Sequence, residues 1–552
     1  MIRDKGSMSQ LFSAVAMDNV PEMDIPHVRH TSGLFVYDEV FLQGRLMSRY
    51  WSSTGSIRPD MYYRHSNWYT DVAGLFPSDS FSLALEGQTL KGDWRWLGVQ
   101  ETPDPSGFRG DGRPVKHTEI HLAHERRPVE VKVHTRIDGS PFMIRWLEIT
   151  NTSDKATAIS GVSPWAGRVW LHRYSEHTPP GAPSPFEVAY AHHFDWGQEG
   201  DLWWEPVSEG VKIVDGGHRG RSGWGRPAFM LRNRDNGEML WAELGWSGNW
   251  RMELGCRLDP TRDAAMATFY LGPDADDPAL RVLDPGETVN SPVVHVGLFH
   301  DDMDTCVQAA HDHVRHVVMP VQFPDRHQIV EANHRGYICD RESEEGIKAE
   351  IDIAKDAGAE IFVVDAGWYG EEPNLWSHNV GDWYAGAWLP NGLEAVSDYA
   401  REQGLRFGLW QEIECVGDQA RLRVEHPDWV LTRNGEPVGR GHRKGGALDL
   451  TKPEVVAWME SEIVRVIRQY DLDLWRLDYN TTVYEGGNRV YQGFVESTLW
   501  RHYENFYGIL DRVRAQCPDV LYENCAGGGG RLDWEILRRF QITEISDWLR
   551  AP

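Results

Sequence analysis

The first part of the chain alternates apolar and polar residues, which is the period of a β-strand with one buried face. In VEVKVHTRI (129–137), Val129, Val131 and Val133 fall on one face, and the turn sequence DGS follows. The next run, PFMIRWLEIT, repeats the alternation, so we predict a β-hairpin. RPAFMLRNR and MATFYLG have similar patterns and lie between turn-forming residues. These patterns predict an antiparallel β-sandwich of many strands.

From about residue 328, short apolar runs alternate with longer helical segments. Within the segment 343–360, a helix is predicted to begin after the N-cap residue Ser343 and to end at Gly358. A second helix is predicted in the segment 451–470, which carries Pro453 near its start. Strands that alternate with helices predict a parallel sheet. The six predicted strands are IVEANHR (329–335), EIFVVDAGWY (360–369), LRFGLWQEIE (405–414), LDLWRLDYN (472–480), VLYENCAGG (520–528) and ITEISDW (542–548).

The two patterns meet at HDHVRHVVMPVQFPDRH (311–327), where a short helix runs into two prolines. We place the domain boundary near residues 320–326. The predicted domains are therefore an N-terminal β-sandwich, 1–322, and a catalytic (β/α) barrel, 323–552.

The composition is that of a globular protein with an acidic surface. The chain has 552 residues, of which 41% are hydrophobic and 25% charged, and this length predicts two or three domains. The 56 basic and 83 acidic residues give a formal charge of −27, which disfavours nucleic acid and anionic membranes as partners. The first residues lack the apolar core of a secretion signal, and the six cysteines are scattered. We therefore expect a cytoplasmic protein without a membrane anchor.

No metal or cofactor is predicted. The cysteines form no CxxC pairs, and the glycine run 527–530 lacks the Lys-Ser/Thr that follows in a phosphate-binding loop. His311, His313 and His316 have no properly spaced carboxylate partner, so we assign them to a solvated helix face.

All six predicted strands end in residues able to take part in catalysis. Because parallel barrels place the active site at the C-terminal ends of their strands, the pattern predicts a (β/α)8-type (TIM) barrel enzyme. A closed barrel has eight strands, so we expect this one to be truncated after its sixth strand, as in a fragment of a longer protein. The strand-end residues are Asn333, Asp365, Glu412 with Glu414, Asp478, Glu523 with Cys525, and Asp547.

Two carboxyl groups on separate strand ends could flank a glycosidic bond. Retaining hydrolysis needs carboxyl groups about 5–5.5 Å apart, one as nucleophile and one as proton donor. Asp478 and Asp547 are candidates for this pair, but spacing alone leaves Glu412 and Glu523 open as alternatives.

A resemblance to a known family separates these alternatives. The motifs between about Asn333 and Asp547 resemble, in order, those of the glycoside hydrolase family 36 α-galactosidases, the melibiase group. The resemblance implies a retaining exo-α-glycosidase that releases terminal α-D-galactosyl residues from small oligosaccharides. It also implies that Asp478 is the nucleophile and Asp547 the acid/base. The motifs are VVDAGWYG, GDWYAGAWLPNGLEAV, GLRFGLWQEIECV, HPDWVL, ALDLTKPEV, LWRLDYN, LYENCAGGGGRLD and ISDW.

The same resemblance implies a set of sugar-binding residues. Asp365 matches the first acid of the family's D-D-G-W motif, and Cys525 and Gly528 match the C-S-G-G-G loop near the sugar's 2-position. Relatives are often tetramers, so a homo-oligomer (tetramer or dimer) is expected. The implied substrate-binding residues are Asp365, Trp410, Arg443, Arg476, Asn480, Cys525 and Gly528.

Three positions depart from the family pattern. Ala366 replaces the second acid of D-D-G-W, Arg476 replaces a lysine, and Trp548 replaces an acid. The Ala366 change leaves the sugar open and motivates one alternative, the same fold acting on another α-glycoside or as a raffinose-synthase-like transglycosidase. The expected truncation of the barrel motivates a second alternative, a non-catalytic carbohydrate-binding relative.

Overall fold

The computed structural model consists of antiparallel sheets up to residue 300 and a parallel sheet after residue 330. No helix within the described parts of the chain is long and apolar enough to cross a membrane. The described residues are 13–20, 25–55, 78–104, 115–173, 184–191, 196–208, 210, 212–217, 226–259, 264–300, 302–319, 329–334, 343–370, 375–439 and 445–547.

The predicted hairpin forms the centre of a ten-stranded sheet. Val129–Ile137 pairs antiparallel with Phe142–Asn151, with Val133 opposite Leu147. Both of these side chains are fully buried, as the alternating pattern predicts. In spatial order the strands are Trp203–Pro206, Phe186–Tyr190, Ala228–Asn233, Glu238–Gly245, Val293–His300, Phe142–Asn151, Val129–Ile137, Lys116–His124 and Trp94–Thr102, and Thr288–Asn290 also pairs with Phe142–Asn151.

Three four-stranded sheets accompany this large sheet. Their apolar faces share one buried core with it, in which Trp165 packs edge-on against Tyr37 at a centroid distance of 5.0 Å. The first sheet consists of Ser13–Val20, Ile25–Ser32, Phe35–Leu42 and Arg45–Ser52. The second consists of Arg281–Leu283, Thr157–Ser163, Ser82–Leu85 and Gln88–Thr89. The third consists of Ala166–Arg173, Ala264–Pro273, Trp250–Asp259 and Lys212–Gly217.

The six strands predicted after residue 328 form one parallel sheet, in the order of the sequence. The sheet is curled into part of a barrel, because Arg476 on its fourth strand lies 3.8 Å from Glu331 on the first strand and 3.6 Å from Glu544 after the sixth. The described sheet has six strands, and its assignment to a (β/α)8-type (TIM) barrel stays a prediction. The six strands are Glu331–Asn333, Ile361–Val364, Arg406–Gln411, Leu474–Leu477, Leu521–Asn524 and Ile542–Thr543.

Helices connect these strands and confirm the predicted helical segments. Glu344–Asp356 begins after Ser343, whose hydroxyl accepts a hydrogen bond from the Gly346 amide at 3.0 Å. Pro453–Gln469 begins at a proline, which lacks only an amide that would have no partner in the first helical turn. The other helices are Met303–His313 (continuing as a π-helix, Val314–Val318), Trp376–Asn379, Glu394–Glu402, Arg421–Glu425, the 3-10 helix Pro427–Trp429, Leu499–Gln516 and Trp534–Leu537. Three two-stranded sheets pair Cys415–Val416 with Gly446–Ala447, Thr432–Arg433 with Glu436–Pro437, and Asn488–Tyr491 with Phe494–Ser497.

The assignment of the three histidines to a solvated face is wrong for His313. Its side chain is buried, and its Nε2 lies 2.9 Å from Nδ1 of His295 on the neighbouring strand. His311 is exposed, and His316 is half-buried beside Asp312. The proposed boundary, residues 320–326, lies outside the described residues.

The antiparallel part contacts the parallel part through a shared apolar core and through polar side chains. The Ser247 hydroxyl donates to the Asp533 carboxylate at 2.8 Å. The Trp196 indole N–H donates to the carbonyl of Gly527 at 3.0 Å. Since Gly527 follows the fifth parallel strand, this second contact brings the antiparallel part to the end of the sheet that carries the candidate catalytic residues.

Candidate active site

Asp478 lies directly after the fourth parallel strand, and its carboxylate accepts four hydrogen bonds. Oδ1 accepts from the backbone amides of Tyr479 at 2.8 Å and Gly527 at 2.9 Å. Oδ2 accepts from the Trp410 indole at 3.0 Å and from the Asn480 side-chain amide. Donors on both oxygens fix the orientation of the carboxylate and favour its ionised form.

The balance of burial and donors keeps Asp478 charged. Burial alone raises the pKa of this carboxyl. The Gly527 amide, the positive charge of Arg476, and the Trp410 and Asn480 donors outweigh burial, so the pKa lies below its ordinary value. Asp478 is therefore an anion at neutral pH, as a nucleophile must be.

Asp547 follows the sixth strand and has the opposite character. Burial and the nearby negative charge of Asp478 raise its pKa to about 7. Oδ1 of Asp547 lies 3.9 Å from the Cys525 thiol. Near neutral pH the site thus combines an ionised carboxylate with a carboxylic acid that can give up its proton. Two carboxyl groups with pKa values moved apart in this way are suited to divide the nucleophile and acid roles.

The glycine loop after the fifth strand packs against both acids. The amide of Gly527 donates to Asp478, and Gly528 has a left-handed backbone with φ of +80°. A Cβ at Gly528 would lie 2.4 Å from the backbone nitrogen of Asp547. No side chain fits at this position, so glycine permits the close approach.

Arg476, on the fourth strand, is buried among four carboxylates. It forms an ion pair with Glu523 at 2.5 Å, and Asp365 lies 3.8 Å from its Nε. Glu331 and Glu544 lie within 4 Å of Nη1, and the Cys525 sulfur lies 3.5 Å from Nη2. Burial raises the pKa of Glu331 to about 7 despite the attraction of Arg476. A single cation therefore lies among acids from four other strands or the segments that follow them.

Asp365 is held at the end of the second strand. Its Oδ2 accepts from the Asn333 side-chain amide and its Oδ1 from the Ala366 amide, both at 2.7 Å. Its own amide donates to Nδ1 of His334 at 2.8 Å. Ala366, at the position where the family resemblance implies an acid, is only 3% exposed.

The other strand-end glutamates hold the structure together. Glu412 accepts from the backbone amides of Asn480 at 2.9 Å and Thr481 at 2.6 Å. Glu414 pairs with Arg531 at 2.9 Å, and Glu523 pairs with Arg476. All three glutamates are buried in these contacts. Asp478 is also buried and hydrogen-bonded, but its charge helps to raise the pKa of Asp547, and this pairing favours Asp478 over Glu412 and Glu523, the alternatives that spacing left open.

The structure brings most of the expected residues together. Contacts to Asp478, Asp547 or Arg476 connect Asp365, Trp410, Asn480, Cys525 and Gly528. Arg443 and Trp548 lie outside the described residues. Sequence reasoning missed the roles of Gly527, Glu331, Glu544 and Trp196; only Gly527 carried a signal, as part of the glycine run.

Two further observations concern metal binding and the position of a cavity. Among the described residues, no group of three or more His, Cys, Asp or Glu side chains could hold a metal ion. A cavity of about 970 Å³ lies elsewhere, between the ten-stranded sheet and the helix Leu499–Gln516, and its lining contains none of the candidate catalytic or sugar-binding residues.

Comparison with known proteins finds similarity to one family. Residues 288–551 match the sequence model of the Melibiase family. The α-galactosidase of Escherichia coli is 28% identical over 327 residues, which are 58% of this chain and 43% of that protein. The α-galactosidase Mel36A of Lactobacillus acidophilus is 28% identical over 341 residues, which are 60% of this chain and 45% of that protein. The chain thus spans about half the length of the curated relatives it matches.

The fold matches as well. The crystal structure of the glycoside hydrolase family 36 α-galactosidase AgaA from Geobacillus stearothermophilus superposes with a TM-score of 0.80 and 22% identity. The match covers 94% of this chain and 75% of that one, so the two share the antiparallel and the parallel parts of the fold. The sequence match over residues 288–551 and the ordered motifs together show that the chain is similar to the glycoside hydrolase family 36 α-galactosidases (melibiases).

Proposed function

We propose that this chain is a retaining exo-α-glycosidase that hydrolyses terminal α-D-galactosyl residues of small oligosaccharides by double displacement. The observation that carries the proposal is the pair formed by Asp478, whose pKa is lowered, and Asp547, whose pKa is raised to about 7. Similarity to this family supports the reaction class, because curated relatives are named α-galactosidases. Solved structures of AgaA variants in complex with raffinose and stachyose support an oligosaccharide substrate.

In the first step, the Asp478 carboxylate attacks the anomeric carbon of the galactosyl residue. Asp547 donates its proton to the glycosidic oxygen as that bond breaks, so the leaving sugar departs as a neutral alcohol. In the second step, the ionised Asp547 accepts a proton from water. The resulting hydroxide equivalent displaces Asp478 from the anomeric carbon, and the configuration of the sugar is retained.

The neighbouring residues have supporting roles in this proposal. Trp410 and Asn480 orient Asp478 through its Oδ2, and Arg476 keeps it charged. Asp365, Arg443, Cys525 and Gly528 bind the sugar, as the family resemblance implies. Four expectations from the sequence stay predictions: the (β/α)8-type barrel, the two-domain division at residue 322, the cytoplasmic location and the homo-oligomer.

The test is a panel of nitrophenyl α-glycosides, followed by NMR of the first-formed product. We expect the highest kcat/KM for the α-galactoside and release of the α-anomer. Release of the β-anomer would contradict double displacement. No turnover of any glycoside would favour the non-catalytic carbohydrate-binding alternative.

Ala366 favours a second candidate, the same mechanism on another α-glycoside or on a sugar acceptor. The family resemblance implies an acid here that contacts the sugar near its 4- and 6-hydroxyls, and this chain has a buried methyl group. The kcat/KM values on the nitrophenyl α-glycosides show which donor sugar is preferred. Transfer products formed with added raffinose would identify a transglycosidase.

A further inference from the structure

A short turn of the antiparallel part, residues 196–200, packs against both segments that position the candidate catalytic acids. The Trp196 indole donates to the carbonyl of Gly527 at 3.0 Å, and the amide of Gly527 donates to Asp478. The amide of Gly197 donates to the hydroxyl of Ser546 at 3.1 Å, directly before Asp547. The turn therefore borders the site from a part of the chain more than three hundred residues away in sequence.

A third contact completes this border. A Cβ on Gly529 would lie 3.1 Å from Cγ of Glu199, so the turn and the glycine loop are in close contact. The hydrogen bond from the indole N–H to the Gly527 carbonyl fixes one edge of the Trp196 ring. Trp196 is nevertheless 51% exposed. A large apolar ring is thus held at the rim of the site while half of its surface faces solvent.

The position of Asp547 indicates which side of the substrate this ring faces. A general acid must reach the oxygen of the bond that breaks, so it lies on the side of the leaving group. Gly197 is bonded to the residue before Asp547, and Trp196 is its neighbour. Trp196 accordingly belongs to the leaving-group side of the pocket. Flat aromatic faces suit the apolar C–H faces of sugar rings.

We propose that Trp196 forms the leaving-group subsite, with its exposed ring face stacked on the sugar that is released. The inference rests on the proposed function and adds to it a specificity-determining residue contributed by the antiparallel part. The inference predicts that replacement of Trp196 lowers kcat/KM for substrates whose leaving group is a sugar. The replacement should leave kcat/KM nearly unchanged for substrates whose leaving group is small.

The test compares raffinose with α-galactosyl fluoride, whose fluoride ion leaves without occupying this subsite. Trp196→Ala should lower kcat/KM for raffinose about tenfold, the effect of one lost aromatic contact. The value for the fluoride should stay within about twofold of the wild type. Trp196→Phe keeps a ring face and loses the indole N–H, so it should keep most of the raffinose activity. Trp203→Ala, at a tryptophan that is 63% exposed on an edge strand, is the matched control and should change neither value.

The outcomes distinguish the possible roles. Equal losses on raffinose and the fluoride in Trp196→Ala would mean that Trp196 holds the Gly527 loop, which overturns the subsite. Unchanged raffinose activity would overturn it as well. Circular dichroism and thermal unfolding check that each variant is folded. A wild type that turns over neither substrate would overturn the proposed function itself, whereas the other outcomes concern Trp196 alone.

Discussion

Replacement of Gly528 by alanine tests whether the glycine loop positions Asp547. The added Cβ would lie 2.4 Å from the backbone nitrogen of Asp547 and 2.9 Å from two backbone atoms of Ser546. Carbon contacts of ordinary length are about 3.5 Å or longer, so one of the two segments must move by about 1 Å. A shift of this size in a reacting group costs about 10²-fold in rate. We therefore expect Gly528→Ala to lower kcat/KM for an α-galactoside about 10²-fold.

Gly87 offers a control with the same backbone conformation. Both glycines have a φ of +80°, but a Cβ at Gly87 would meet no atom within 4 Å. An alanine in this left-handed conformation costs about 1–2 kcal/mol at either position. Gly87→Ala should therefore reduce the free energy of unfolding by that amount and leave kcat/KM unchanged. The difference between the two variants isolates the contact with Asp547 from the backbone strain.

The assay combines steady-state kinetics on nitrophenyl α-galactoside and raffinose with urea denaturation. The loss in Gly528→Ala should be larger on raffinose, because a displaced acid matters most where the leaving group needs a proton. Equal kcat/KM in the two alanine variants would refute the reasoning, since Asp547 would then not depend on the loop.

Four further predictions concern the acids and the sugar pocket. Asp478→Asn should fold normally and lose turnover, and added azide should restore some activity with an inverted product; near-normal turnover would exclude Asp478 as the nucleophile. Asp547→Ala should lose about 10²–10⁴-fold on raffinose and far less on substrates with good leaving groups; equal losses would refute the acid/base role. Because Asp547 must be protonated and its pKa is raised to about 7, kcat/KM should fall as the pH rises above about 7. Asp478, whose pKa is lowered, stays ionised over this range. A kcat/KM that stays constant up to pH ~9 would contradict the assignment of Asp547 as the acid. Ala366→Asp should raise kcat/KM for galactoside relative to 6-deoxygalactoside, because a hydrogen bond to a charged group contributes roughly 1.5–3 kcal/mol; an unchanged ratio would remove Ala366 from the specificity determinants.

Local patterns allowed the strands and helices to be predicted. Alternation with a turn sequence determined the hairpin around residues 138–140, and a capping serine determined the start of the helix at Glu344. The strand predicted at 472–480 is shorter in the structure, Leu474–Leu477. Asp478 follows directly after this strand, and the backbone amides of Tyr479 and Gly527 donate to its carboxylate. The pattern therefore located the candidate catalytic segment but not its hydrogen bonds.

Long-range packing decided what the sequence alone could not. His313 was assigned to a solvated face because the helical pattern does not show which strand will cover it, and His295 on the sheet does so. Trp196 gave no signal, since its partner Gly527 is distant in sequence. Glu412 and Asp478 are both acids at strand ends. Both accept hydrogen bonds from backbone amides, and only the structure shows that the charge of Asp478 acts on a second carboxyl group, Asp547, whose pKa is raised to about 7.

The arginine at position 476 shows how a departure from the family pattern is accommodated by residues far from it in sequence. A lysine would place one compact charge here, whereas the guanidinium fork reaches Glu523 with Nη1, the Cys525 sulfur with Nη2 and the neighbourhood of Asp365 with Nε. Its positive charge lowers the pKa of Asp478, where hydrogen bonds act in the same direction. At Asp547 the same charge is outweighed by burial and by Asp478, so the pKa there rises. One buried cation is therefore compatible with two opposite protonation states, because the hydrogen bonds that stabilise an anion are concentrated on Asp478.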